Sequence, residues 1–357
     1  MTSVRRLLPL AAVGFALLAG TALAGPSGRR AQPFSPAGLA SGPASFRDAV
    51  LTGSRARRLQ AVRRADEWGG AVTASDGEVV QVLVSDSYPV DPALTQSLAD
   101  FVVQLFHGDE LAKAVFLVTP LDEIASICGP QAGGCYDPDS ETIVVPGEDL
   151  PDGTSKETIL VHEYGHHVAR NRVNPPWSAE DWGPKRWASD VHVCARAAAG
   201  TAFPGDEGAN YALNPGEAFA ETYRLLNFDK QAWPTWTTLA PWNADASFYP
   251  DSAALAAAEE DVVDPWAGPA VGSWSGRIAS PARPARRLLA AALDGSASAR
   301  LTSAPPGASI AFVDASSGRV LAQGGRRVSF AVCGQRRLAL VVRARTPGRF
   351  GVLYATP

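Results

Sequence analysis

"TSKETILVHEYGHHVARNR", Thr154 to Arg172, places His162, Glu163 and His166 within five residues, with His167 directly after. On an α-helix, positions i and i+4 share a face, so His162 and His166 can offer two imidazoles to one ion. Glu163, one residue along, then stands beside that ion, placed to take a proton from a water and return it to a leaving amine. Thr154 and Glu157 read as a capping box ahead of the apolar Ile159, Leu160 and Val168, and the helix ends before Asn174-Pro175-Pro176. The chain has five histidines and fourteen glutamates in 357 residues. Chance would give H-E-x-x-H in such a chain with a frequency of roughly 0.003, so the stretch is read as a metal site rather than a polar helix face.

A catalytic zinc takes three protein ligands and keeps one position open. A third histidine in H-E-x-x-H-x-x-G-x-x-H would need Gly at 169 and His at 172, where the chain has Ala169 and Arg172, and Met1 is its only methionine. That excludes the metzincin arrangement. "NPGEAFAETYR" instead offers Glu217 and Glu221, i and i+4 on a helix capped by Asn214-Pro215. Phe219, Leu225 and Leu226 turn that helix inward, and buried carboxylates need a compensating cation. Glu217 is assigned to the metal, and Glu221 to the free N–H of a ligand histidine. Asp190 lacks a motif around it, and His107, His167 and His192 read as a cap, a residue off the metal face and a packed helical histidine. Tyr164 is expected in the core. The tryptophans between 177 and 187 line a groove or cover the zinc helix.

"HEYGH" followed by "NPGEAFAE" resembles the gluzincin branch of zinc metallopeptidases, and the second phrase is similar to the active-site helix of the anthrax lethal factor type. The resemblance spans roughly residues 75 to 235, with its specific motifs at the two helices. It implies a zincin-like fold, Zn2+ on His162, His166 and Glu217, Glu163 as base, and Tyr211 as an oxyanion donor before the glutamate helix. No histidine follows His192, so it supplies no downstream histidine for the transition state.

The rest of the chain sets the context. "MTSVRRLLPLAAVGFALLAGTALAG" reads as a secretory signal peptide cleaved after Ala24, too short and wrongly flanked for a membrane anchor. An exported, secreted protein of about 333 residues is expected, with two domains as the prior. Its net charge of −4 becomes −6 without residues 1–24 and argues against nucleic acid or an anionic membrane as partner. Of the four cysteines, Cys128 and Cys135 bracket "ICGPQAGGCY", read as two strand ends around a turn and favoured as a disulfide. Cys194 with Cys333 then follows by elimination.

Residues 25–69, rich in Pro, Gly, Ser, Ala and Arg, read as a linker or pro-segment, and 70–243 as the α+β catalytic domain. Its first elements are strands in "EVVQVLVS", "AVFLVTP" and "ETIVVPG", and a helix capped by Asp91-Pro92. "KRWASDVHVCARAAAG" reads as one later helix. Residues 244–283 read as a second linker, and 284–357 as a small all-β sandwich of short strands such as "ASIAFVD" and "RRLALVVRA". That accessory domain, loosely similar to the jelly-roll modules of secreted bacterial peptidases, is expected to bind a surface or a substrate. The function expected is a secreted zinc peptidase acting on a protein or peptide. The alternatives are an adhesin-like protein with a structural or inactive zincin domain, and a zinc hydrolase of cell-wall peptides.

Overall fold

The computed structural model describes residues 29–39, 46–62, 67–228 and 244–357. The signal-peptide reading, residues 1–24, lies outside them. Two short helices, α1 (Pro36–Leu39) and α2 (Ser54–Val62), precede the first sheet. That sheet comprises β1 (Glu67–Thr73), β2 (Val79–Ser85), β3 (Val115–Thr119), β4 (Cys135–Asp137) and β5 (Thr142–Pro146), in the order β1-β2-β3-β5-β4. β2, β3 and β5 are parallel, while the edge strands β1 and β4 are antiparallel to their neighbours. The near-continuous apolar runs of β3 and β5 fit strands covered on both faces.

Helices supply that cover. On one face, α3 (Pro92–Val102) and α5 (Lys156–Arg170) pack Leu98, Phe101, Ile159 and Tyr164 over Val82, Phe116 and Ile143. On the other, α2 and α4 (Leu121–Ile127) set Leu59, Ile124 and Ile127 against Leu117 and Val144. Asp91 caps α3 as read, its carboxylate accepting from the Ala93 N–H. The cap of α5 differs from the capping-box reading. Ser155 fills it, accepting from the Thr158 N–H, while Glu157 accepts from Ser35 N and Lys156 Nζ.

Between α5 and its partner helix run α6 (Ala179–Trp182), α7 (Lys185–Asp190) and α8 (Val193–Ala198). The single helix read over α7 and α8 is broken at His192, which takes φ 58°. Then α9 (Pro215–Asn227), capped by Asn214 as expected, lies against α5. The two helices meet at Gly165, where an added Cβ would stand 2.8 Å from Ala220 Cα.

The stretch 244–283 is not a linker. It contains α10 (Ser252–Val263), whose Asp261 carboxylate accepts from the Arg186 and Trp187 backbone N–H groups, and β6 (Ala270–Ile278). The β-domain therefore begins near residue 270. One of its sheets runs β10 (Val320–Gly324), β9 (Ser309–Asp314), β12 (Arg337–Arg343), β7 (Ala285–Ala290). The other runs β11 (Arg327–Val332), β8 (Gly295–Ser303), β13 (Gly348–Thr356), β6. Every pairing is antiparallel, and Phe312, Leu340, Phe350 and Val352 fill the space between the sheets. β6 escapes a sequence reading because two of its inward positions are Gly272 and Gly276. An added Cβ there would stand 2.4 Å from the Tyr354 ring and 2.8 Å from the Phe350 ring.

Both disulfides match the reading, Cys128–Cys135 and Cys194–Cys333. Cys128 closes α4 rather than a strand, and Cys194–Cys333 ties α8 to the β-domain. No helix among the described residues is long and apolar enough to cross a membrane.

Candidate metal centre

Helix periodicity brings His162 and His166 to the same side of α5, with ring centroids 5.1 Å apart. α9 delivers Glu217 and Glu221 to them. Glu217 Oε2 lies 3.3 Å from His162 Nε2 and 3.5 Å from His166 Nε2. Glu221 Oε2 lies 3.1 Å from His162 Nδ1, and Arg224 grips the same carboxylate at 2.7 and 3.0 Å. Glu217 thus faces the two Nε2 atoms, while Glu221 stands behind one ring at Nδ1.

A fourth donor comes from a region read only as linker or pro-segment. Asp48 Oδ2 lies 3.2 Å from His162 Nε2 and 3.0 Å from His166 Nε2, and Tyr211 donates its hydroxyl to Oδ1 of the same carboxylate. Asp48, His162, His166 and Glu217 form a buried group that could hold a metal ion. An ion with tetrahedral bonds of about 2.0–2.1 Å spaces its donors about 3.3 Å apart. The four Nε2–carboxylate separations, 3.0 to 3.5 Å, bracket that value.

The polar inventory points the same way. Glu217 Oε1, His166 Nδ1 and both Glu163 oxygens are buried with no hydrogen-bond partner in the protein. Glu163 is wholly buried, and its Oε1 closely approaches Gly134, where an added Cβ would stand 2.9 Å away. Burial, and then the Asp48 charge, push the Glu163 carboxyl well above its ordinary range. Burial alone would strip the protons from both imidazoles. The facing carboxylates outweigh it, Asp48 foremost at His162 and Glu217 foremost at His166, and raise both rings well above their usual value. Burial likewise works against the Glu221 charge, but Arg224 and the His162 ring bring that carboxyl down to about 2. Carboxylates thus crowd two rings, a surplus of negative charge that a divalent cation balances better than protons do.

A cleft of about 580 Å³ reaches the cluster, lined among others by Arg47, Asp48, His166, Glu180, Glu207 and Glu217. Burial beside Glu217 and Asp48 pushes Glu207 up to about 9. The segment carrying Asp48 runs alongside the edge of the first sheet. Arg47 and Val50 form parallel bridges with Ala132 and Tyr136, and Gly133 N, Tyr136 N and Leu51 N complete the backbone hydrogen bonds at 2.7, 3.1 and 2.7 Å.

The remaining candidates lie elsewhere. His167, off the metal face, is buried, with Nε2 2.8 Å from Glu110 O and Nδ1 3.2 Å from the Tyr136 hydroxyl. His192 is exposed rather than packed in a helix, and Asp190 is outside the cluster. Tyr164 is a core residue, its ring 5.8 Å from Phe116 and from Tyr223. Of the tryptophans, Trp187 is buried against Phe219 of α9, and Trp177 stacks on Trp182.

The fold and the site define an α+β protein with a buried two-histidine, two-carboxylate group that could hold a metal ion, and an appended β-sandwich. No protein-family model matches the chain, and no curated protein matches it.

Proposed function

We propose that this chain is an exported zinc peptidase in a latent form, with Asp48 closing the metal site. The observation that carries the reading is Glu163: a buried carboxylate with no protein partner, adjacent in sequence to His162 and facing a donor set of zinc-like spacing. A purely structural site has no use for such a base.

In this reading His162, His166 and Glu217 hold the ion, and Glu221 orients the His162 ring through Nδ1. Zinc bound there supplies Lewis acidity toward a water and the scissile carbonyl. Glu163 takes the proton of the attacking water and passes it to the leaving nitrogen as the C–N bond breaks. The Tyr211 hydroxyl, freed from Asp48, donates to the oxyanion that develops on the carbonyl oxygen. A peptide substrate pairs with the outer edge of β4 once residues 47–51, which now occupy it, have left.

Asp48 withholds three things together: the open coordination position, the Tyr211 hydroxyl and the β4 edge. A zinc site with four protein ligands has the closed form of a structural site, and that observation favours a second reading, an adhesin-like protein with a structural metal. Casein cleavage by the full chain separates the two. Asp48→Ala is expected to cut at least about tenfold faster than wild type, a loss of inhibition of about 1.4 kcal/mol or more. Glu163→Ala and the double variant should not cut, and a chelator should stop Asp48→Ala. If Asp48→Ala binds one equivalent of zinc yet cuts nothing, the structural reading stands instead.

A further inference from the structure

The whole-chain charge of −4 conceals a segregation. Residues 270–357 carry thirteen arginines, no lysine and only Asp294 and Asp314 as acids, a net charge of +11, which leaves −15 on residues 1–269. An ordinary surface mixes both signs. Here Asp294 is taken by Arg336 and the Gly334 N–H, and Asp314 caps its own turn at Ser316 and Ser317. Among the described residues, Arg336 alone of the thirteen pairs with a carboxylate.

Register concentrates these charges. On the sheet β11-β8-β13-β6, Arg327 stands directly opposite Arg300, and Arg349 directly opposite Arg277. All four are exposed, and strand alternation turns them to one outward face, since Val328, Leu301, Phe350 and Ile278 beside them are buried. β13 links the pairs: Leu353 lies beside Arg300, and Arg349 is four residues away, about 13 Å along the strand. Like charges directly opposite destabilise a sheet, so neither pair is there for stability. Around them the face presents Ser273, Ser275, Ser298 and Ser329, and a groove of about 850 Å³ runs past Arg300 and Arg327.

We propose that this face binds an acidic polysaccharide, whose carboxylate or sulfate groups Arg277, Arg300, Arg327 and Arg349 clasp through guanidinium forks. Arginine matches such planar or branched oxyanions with paired donors, which lysine cannot do. The serine hydroxyls supply hydrogen bonds for sugar hydroxyls. No aromatic side chain points outward from this face to stack a base, and no helix stands on it to enter a groove, so nucleic acid is the poorer fit.

The test uses the full chain, Arg300→Ser/Arg327→Ser, Arg277→Ser/Arg349→Ser and the four combined. The probes are heparin as the sulfated polymer, polygalacturonate as the carboxylated one, neutral dextran, single- and double-stranded DNA, and phosphatidylglycerol vesicles. Wild type should bind one or both acidic polymers and not dextran, more weakly as salt rises. Which polymer is preferred separates sulfate from carboxylate. Each pair removed should weaken binding by roughly tenfold, while Tm stays level or rises as the repulsion is relieved. Undiminished binding by the combined variant overturns the proposal. So does a fall in Tm, or DNA or vesicles binding tenfold more tightly than either polysaccharide.

Discussion

His162 is held from both sides of its ring, with Nε2 toward the donor cluster and Nδ1 on Glu221, itself held by Arg224. Removing such an outer partner typically costs 10–100-fold in metal affinity. Glu221→Ala should therefore lower zinc affinity by about that factor in a chelator-competition titration, whereas Glu221→Gln, which keeps an acceptor for Nδ1, should lose less. A second residue offers a pH test remote from the cluster. Lys185 is buried, its Nζ 3.0 Å from Pro175 O and 4.8 Å over the Trp266 ring, and burial, only partly offset by Asp294 and Asp261, lowers its amine to about 8. Between that value and the ordinary 10.5 the unfolded chain binds more protons than the folded one, so stability should rise with pH across that window. The full effect is about 3 kcal/mol. Lys185→Met should flatten the rise in urea midpoints over pH 8 to 10.5, and an unchanged slope would remove Lys185 as its source.

At the scale of elements, α5 and α9 form one device. α5 carries the imidazoles and the base, α9 the two glutamates, and their separation is set where Gly165 meets Ala220. Gly165→Ala gains helix propensity but forces a methyl into a space of 2.8 Å. Overpacking of this kind costs roughly 1–3 kcal/mol, and displacement of α9 carries Glu217 and Glu221 with it. Both Tm and zinc affinity should fall together. A fall in Tm with affinity intact would mean that the glutamates do not depend on this contact. The edge strand β4 is the other decisive element, because an unpaired edge invites any extended segment and here the N-terminal one takes it.

The whole molecule has two main bodies of core, one in the helix–sheet unit and one in the sandwich, tied by Cys194–Cys333 over a separation of 139 residues. Ser189 Oγ, accepting from Asp294 N at 2.9 Å, and the Arg336 guanidinium at Ser189 O add polar links. Cys194→Ala/Cys333→Ala should resolve calorimetric melting into two transitions, since on chain entropy such a bond is worth about 5 kcal/mol. A chelator should then lower the transition of the helix–sheet unit alone, because only that unit contains the donor cluster.

What the sequence by itself determined is local. The i, i+4 spacing of His162 and His166 and of Glu217 and Glu221, and the caps at Asp91 and Asn214, follow from helix geometry within one or two turns. The inward alternation of β13 and the short disulfide Cys128–Cys135 are local too, one set by the two-residue strand period and the other by a separation of seven residues. What only the tertiary structure decided lies across long separations. Asp48 is the first acidic residue of the chain and the only one before Asp66, a signal present in the sequence but without periodicity to explain it. Its contact with His162 spans 114 residues and depends on the β4 edge being open. The facing of Arg300 by Arg327 and of Arg277 by Arg349 depends on strand order and register, and a one-residue slip would turn these side chains inward. Short-range spacing writes a helix face into the sequence; which distant segment meets that face is decided by packing.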